Sequence, residues 1–211
     1  MSIRCKIDDV YGLHGGYTLL LKPGYTALAG PNGAGKTTLL DQLADVARDR
    51  GYLLCRYSDV DDGRHGAMQM DLVRGDVARV AQAACSSEGQ RIQLNFSRVA
   101  GEVGAAVQQA MAKRAPLFVL LDGLDSGTSI DRQIEFMDFF RLVERDVGIT
   151  DSRDDPPIYI LAAVNDYEMA TRRCVDVRTG KYVKFRNYDA YKKFVCGYFD
   201  AAASGAGDGP A

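Results

Sequence analysis

The stretch Gly30-Pro31-Asn32-Gly33-Ala34-Gly35-Lys36-Thr37-Thr38 constrains this chain more than any other. It satisfies G-x-x-x-x-G-K-S/T without a mismatch and lies between an apolar run, Tyr25 to Ala29, and a helical pattern. The glycines let successive backbone N–H groups turn inward around an anion, and a helix opening at Lys36 aims its positive end at the same point. A polyphosphate is the expected ligand. Lys36 should reach its β- and γ-phosphates, and the Thr37 hydroxyl should sit on Mg²⁺, a hard cation that keeps waters and phosphate oxygens in its shell. Gly30, Asn32, Gly33, Ala34, Gly35, Lys36, Thr37 and Thr38 form the expected phosphate-binding set.

The flanking patterns predict alternating strands and helices. Residues 3–11 alternate loosely, 17–21 read as a strand closed by Lys22-Pro23-Gly24, and Tyr25 to Ala29 feeds the loop. Leu39, Leu40, Leu43, Val46 and Ala47 recur at helical spacing up to the stop at Gly51, and 52–57 read as the next strand. After a polar loop over 58–66, helices are predicted over 69–84 and 91–114. Leu117 to Leu121 is a continuous apolar run of the kind a buried parallel strand shows, and Asp122 closes it. Asp131 is the expected N-cap of a helix through Ile134, Met137, Phe140 and Val143. Ile158 to Val164 reads as a buried strand, followed by a short helix over 167–173, a hairpin of strands near 174–178 and 181–186, and a helix over 188–202. The predicted fold class is α/β, a mostly parallel sheet flanked by helices around a phosphate loop, in one domain over 1–203. A small helical insertion is expected at about 67–114, a C-terminal hairpin and helix at 174–203, and a disordered tail at 204–211.

Composition excludes several classes. With 211 residues, 46% of them hydrophobic, the chain can bury a substantial core, and a net charge of −2 argues against a surface wholly devoted to nucleic acid or membrane. The five cysteines, Cys5, Cys55, Cys85, Cys174 and Cys196, show neither paired nor metal-ligand spacing and read as reduced thiols. No apolar run approaches the ~20 residues of a membrane span. A cytoplasmic protein is expected. His14 and His65 have no partner at metal or triad spacing. Residues 168–195 carry eight Lys or Arg, which read as the solvated face of an edge hairpin and helix or as a patch for nucleic acid or an acidic partner; no base-stacking motif supports nucleic acid.

Asp122, at the end of its strand, is held where a carboxylate reaches Mg²⁺ through the water shell. The phosphate loop, the later Ser86-Ser87-Glu88-Gly89-Gln90-Arg91, and Leu-Leu-Asp-Gly-Leu-Asp-Ser-Gly ending at Gly127 occur in that order. Together they resemble the ABC-type ATPase superfamily over about residues 3–165, more closely its soluble SMC-like and AAA-annotated bacterial and phage members than transporter subunits. The resemblance implies an ATP- and Mg²⁺-binding domain in which Ser87, Gly89 and Gln90 contact the γ-phosphate of ATP held by a second subunit, giving an ATP-dependent homodimer. It implies that Ser126 to Ser129 line the dimer seam and that Tyr11 stacks on adenine, although an exposed strand-end tyrosine fits that position equally. Gln69 is implied as a sensor of Mg²⁺ and attacking water, with Asp61 and Asp62 as competitors for the position.

The departures from the family pattern bear on turnover. Efficient members carry Glu directly after the Mg²⁺-linked Asp, where this chain has Gly123; Asn165 stands at the family's switch His and cannot titrate. Slow hydrolysis is expected, with Asp125 or Asp166 as substitutes suggested by spacing. Glu88 replaces the usual Gly and Ser86 the usual Leu. The resulting expectation is an ATPase that dimerises around two ATP molecules and couples binding or slow hydrolysis to action on a protein partner. Its alternatives are a non-hydrolysing ATP-gated switch and a transporter's nucleotide-binding subunit, the last weakened by the short helical segment.

Overall fold

Alternate residues of each central strand point to opposite faces of the sheet, and both faces are covered. In the computed structural model, residues 2–9, 16–58, 88–146 and 155–198 are described, with the backbone alone for 88–96. Tyr11, Gln69, Ser87, both histidines, Cys85, the expected helix over 69–84 and the tail over 204–211 lie outside the described residues.

The elements run β1 (Ile3–Ile7), β2 (Tyr17–Leu21), β3 (Gly24–Ala29), α1 (Lys36–Asp49), β4 (Leu53–Ser58), α2 (Glu88–Lys113) and β5 (Leu117–Asp122). They continue with α3 (Ile130–Asp146), β6 (Ile158–Val164), a 3-10 turn (Glu168–Ala170), β7 (Cys174–Asp176), β8 (Tyr182–Val183) and α4 (Tyr188–Cys196). A six-stranded sheet has the order β4-β5-β6-β3-β7-β8, parallel except for β8, and β1 and β2 form a separate antiparallel hairpin. This is the α/β architecture expected.

Leu117, Val119 and Leu121 of β5 pack beneath Val99, Val103, Val107 and Ala110 of α2 and Phe136 and Phe140 of α3. Phe118 and Leu120 pack on the opposite face with Leu39, Leu40 and Leu43 of α1 and the hairpin residues Cys5, Ile7 and Leu19. The continuous apolar run of β5 thus follows from burial on both faces. Each fully buried Leu or Phe contributes ~1.5–3 kcal/mol, so α2, α3 and α1 are fastened to the sheet by their apolar stripes. The stretch expected as a small helical insertion ends, from Val99 onward, as a layer of this core.

Several boundaries differ from the sequence expectation. The first strand ends at Ile7, and the hairpin strands shrink to Cys174–Asp176 and Tyr182–Val183, because the Asp176 side chain takes the Arg178 N–H and the Thr179 hydroxyl into a tight turn. Asp131 is not the N-cap of α3. Arg132 and Gln133 both direct their N–H groups to the Ser129 carbonyl, so the helix begins at Ile130 and Asp131 lies in its first turn. The short helix expected over 167–173 is one 3-10 turn, Glu168–Ala170. Glu144 pins α3 to β3, accepting from the Tyr25 N–H at 2.7 Å and from Arg172 Nη1 at 2.5 Å.

Candidate functional site at the phosphate loop

Parallel strands β3, β5 and β6 end together, and the loops leaving them converge on one cleft. Its volume is about 340 Å³, within the range of small-molecule sites, and Asn32, Gly33, Gly35, Lys36, Thr37, Thr38, Asp122, Gly123, Ala163 and Asn165 line it. Gly33 and Gly35 have φ of +80° and +88°, the left-handed region that glycine enters without strain. A Cβ on Gly30 would lie 2.8 Å from the Ala34 Cβ, which closes the inner side of the loop, whereas one on Gly33 would meet nothing within 4 Å. The outer side of the loop is open to a ligand.

Lys36 opens α1 and is buried, 8% exposed. Its Nζ donates to the carbonyls of Gly30 at 2.6 Å and Pro31 at 3.0 Å and to Asn165 Oδ1 at 2.9 Å. Burial lowers its pKa from the usual lysine value, while the nearby Asp125 and Asp122 carboxylates act in the opposite sense. Thr37, one residue on, donates its hydroxyl to Asp122 Oδ2 at 2.8 Å. A hydroxyl and a carboxylate oxygen at the mouth of an N–H-lined loop make a hard oxygen donor set, and these residues fit Mg²⁺ bound together with phosphate oxygens.

Gly123 lines the cleft with φ of +77°. The chain turns there at once, and Ser126 N–H closes the turn on the Gly123 carbonyl at 3.1 Å. A side chain at position 123 would have to adopt a left-handed backbone. Spacing offered Asp125 as a substitute base; its burial and its partners make it an anchor instead. At 4% exposed it stands outside the cleft lining, and its Oδ2 accepts from the Asn165 N–H and from the Asp166 N–H at 2.9 Å. Burial raises its pKa from the usual carboxylate value, and these two backbone donors act in the opposite sense. Asp166 is turned away too, accepting from Gln133 Nε2 at 2.5 Å. Gly89 and Gln90 lie in the first turn of α2, and Ser126 and Gly127 are exposed beyond β5.

Two contacts were not legible in the sequence. Tyr191 of α4 donates its hydroxyl to the Asn165 carbonyl at 2.7 Å, and the Tyr198 hydroxyl would stand 3.5 Å from a Cβ on Gly30. Both tyrosines fall in the segment expected as a helix over 188–202, and no local spacing reports where a hydroxyl ends.

A family model described as ABC transporter matches residues 17–153. The chain belongs to that family. No curated protein sequence matches it. Membership makes the chain an ATP-binding ABC-type ATPase domain, and the matched segment holds the phosphate loop, Asp122 and the turn after β5. Asn165, Tyr191 and Tyr198 of this ABC domain lie past the match. Among the described residues no helix is long and apolar enough to cross a membrane.

Proposed function

We propose that this ABC domain binds ATP with Mg²⁺ in the cleft and closes with a second copy of itself around two ATP molecules, coupling binding or slow hydrolysis to action on a protein partner. The observation that carries the reading is that Lys36, Thr37, Asp122 and Asn165, from three separated segments, line one cleft. Backbone N–H groups from Asn32 to Thr38 and the Lys36 ammonium bind the phosphates; Thr37 and Asp122 hold the cation; Asn165 meets the terminal phosphate. Bound Mg²⁺ neutralises charge on the β- and γ-phosphates. In the same reading Tyr11 stacks on adenine, Gln69 senses the cation, and Ser87, Gly89 and Gln90 of each copy complete the other's site.

Turnover is slow in this reading because Gly123 provides no proton acceptor beside Asp122 and Asn165 does not titrate. Loss of a positioned base costs ~10²–10⁴ in rate, which leaves a measurable residue. Multiple-turnover phosphate release is expected to exceed that of Lys36→Ala; equal, background-level release from both proteins sinks the hydrolysis reading. The φ of +77° at Gly123 favours a second reading, an ATP-gated switch without hydrolysis, which that outcome supports. Light scattering with Mg²⁺-ATP and with Mg²⁺-ADP tests closure. A monomer in both at high concentration overturns the dimer.

A further inference from the structure

The Lys36 ammonium has three hydrogens, and three acceptors already take them: the Gly30 carbonyl, the Pro31 carbonyl and Asn165 Oδ1. A phosphate oxygen gains a hydrogen bond from Lys36 only by displacing one of them. Two are backbone carbonyls of the loop, where Pro31 O also accepts the Ala34 N–H at 3.1 Å and Gly30 has no room for even a Cβ. The third is a side-chain amide that turns about its own bonds, its Nδ2 having one long contact, to Asp125 Oδ1 at 3.5 Å. Asn165 is the acceptor that gives way.

The main chain of Asn165 is held by both of its polar groups. Its N–H donates to Asp125 Oδ2, which also takes the next N–H, that of Asp166. Its carbonyl accepts the Tyr191 hydroxyl at 2.7 Å. Tyr191 is itself fixed, 4% exposed, with its ring against Phe185 at 5.1 Å and Tyr167 at 6.0 Å. One clamp arm comes from the turn after β5 and the other from α4, beyond the segment matched to the family.

We infer that Asp125 and Tyr191 are positioning residues for the ATP site: they clamp the Asn165 main chain so that its amide alone exchanges Lys36 for the terminal phosphate. The inference rests on the proposed placement of that phosphate beside Asn165. A clamped amide reaches a terminal phosphate without having to be ordered first, and ADP has no such group to meet. Losing either arm therefore lowers the preference for a triphosphate over ADP, by about 3–10-fold, the size expected from ordering one freed side chain.

The test is the ratio of dissociation constants for ADP and a non-hydrolysable ATP analogue, both with Mg²⁺, measured calorimetrically alongside melting temperature. Tyr191→Phe keeps the packed ring and removes only the hydroxyl; Asp125→Ala removes the other arm, and Asp125→Asn restores a carbonyl acceptor. The expected result is a ratio about 3–10-fold lower in Tyr191→Phe and Asp125→Ala, recovery in Asp125→Asn, and unchanged ADP affinity in Tyr191→Phe. If Asn165→Ala lowers the ratio while both arm variants keep the wild-type value, the clamp is overturned and the site reading survives. If Asn165→Ala leaves the ratio unchanged, the placement of the terminal phosphate is wrong and the clamp falls with it. Should Asp125→Ala fail to fold, Tyr191→Phe decides alone.

Discussion

Thr37 Oγ1 and Asp122 Oδ2 stand 2.8 Å apart although 85 residues separate them in the chain. The first turn of α1 and the last residue of β5 thereby share one oxygen-rich corner of the cleft, and the cation-dependent part of ATP affinity should depend on both. Asp122→Asn and Thr37→Val are each expected to reduce the gain in ATP affinity on adding Mg²⁺ by at least about tenfold, ~1.4 kcal/mol. Calorimetric titrations with and without Mg²⁺ read this directly. An undiminished Mg²⁺ effect in both variants removes this pair from the cation site.

Gly123 has φ of +77°, so placing the family's glutamate there forces an L-residue into the left-handed region. Gly123→Glu should lower stability by ~1–2 kcal/mol. Thermal melting would then fall by about 2–4 °C per kcal/mol for a chain of this size. A melting temperature at or above that of the wild type would show that the turn accepts a side chain.

Asp125 has its pKa raised above 3.8, chiefly by burial. Its native form therefore holds the proton more tightly than the unfolded chain does. That contribution to stability is complete below 3.8 and is lost as pH rises through the higher native value. Asp125→Asn lacks this titration, so its stability relative to the wild type should improve as pH rises from 3.8 through the higher native value and level off beyond it. Denaturant midpoints across an acid-to-neutral series would check the slope; a constant difference between the two proteins contradicts it.

Burial pushes the Cys5 thiol up to about 11 and the Cys174 thiol up to about 12, whereas Cys196 is exposed. Thiolate is the reactive form. In a Cys85→Ser background at pH 8, a disulfide reagent should modify Cys196 first and reach Cys5 and Cys174 only on unfolding. Peptide mapping after brief labelling identifies the site, and early labelling of Cys174 would contradict the packing of β7.

Local chemistry was readable where it acts over a few residues. The glycines at 33 and 35, the lysine and the threonine make a phosphate loop in any chain that places them between a strand and a helix, and both left-handed glycines are found there. The apolar run of β5 announced burial on both faces, and Asp122 at its end announced a rigid carboxylate. The N-cap of α3 was misread because Ser129 and Asp131 are both capping residues, and only the path of the preceding turn selects between them.

By itself, the sequence determined the α/β class, the phosphate loop and the absence of a carboxylate directly after Asp122, since each is a matter of residue type at short spacing. Tertiary structure alone decided what Asp125 and Tyr191 do. Spacing allowed Asp125 to be a base, but burial and two backbone N–H donors make it an anchor, and Tyr191 reaches Asn165 across 26 residues. A hydroxyl or carboxylate takes its role from the groups within about 3 Å of it, and here those groups lie on the loops after β5 and β6 and on α4, brought together by a strand order that differs from the order in the chain.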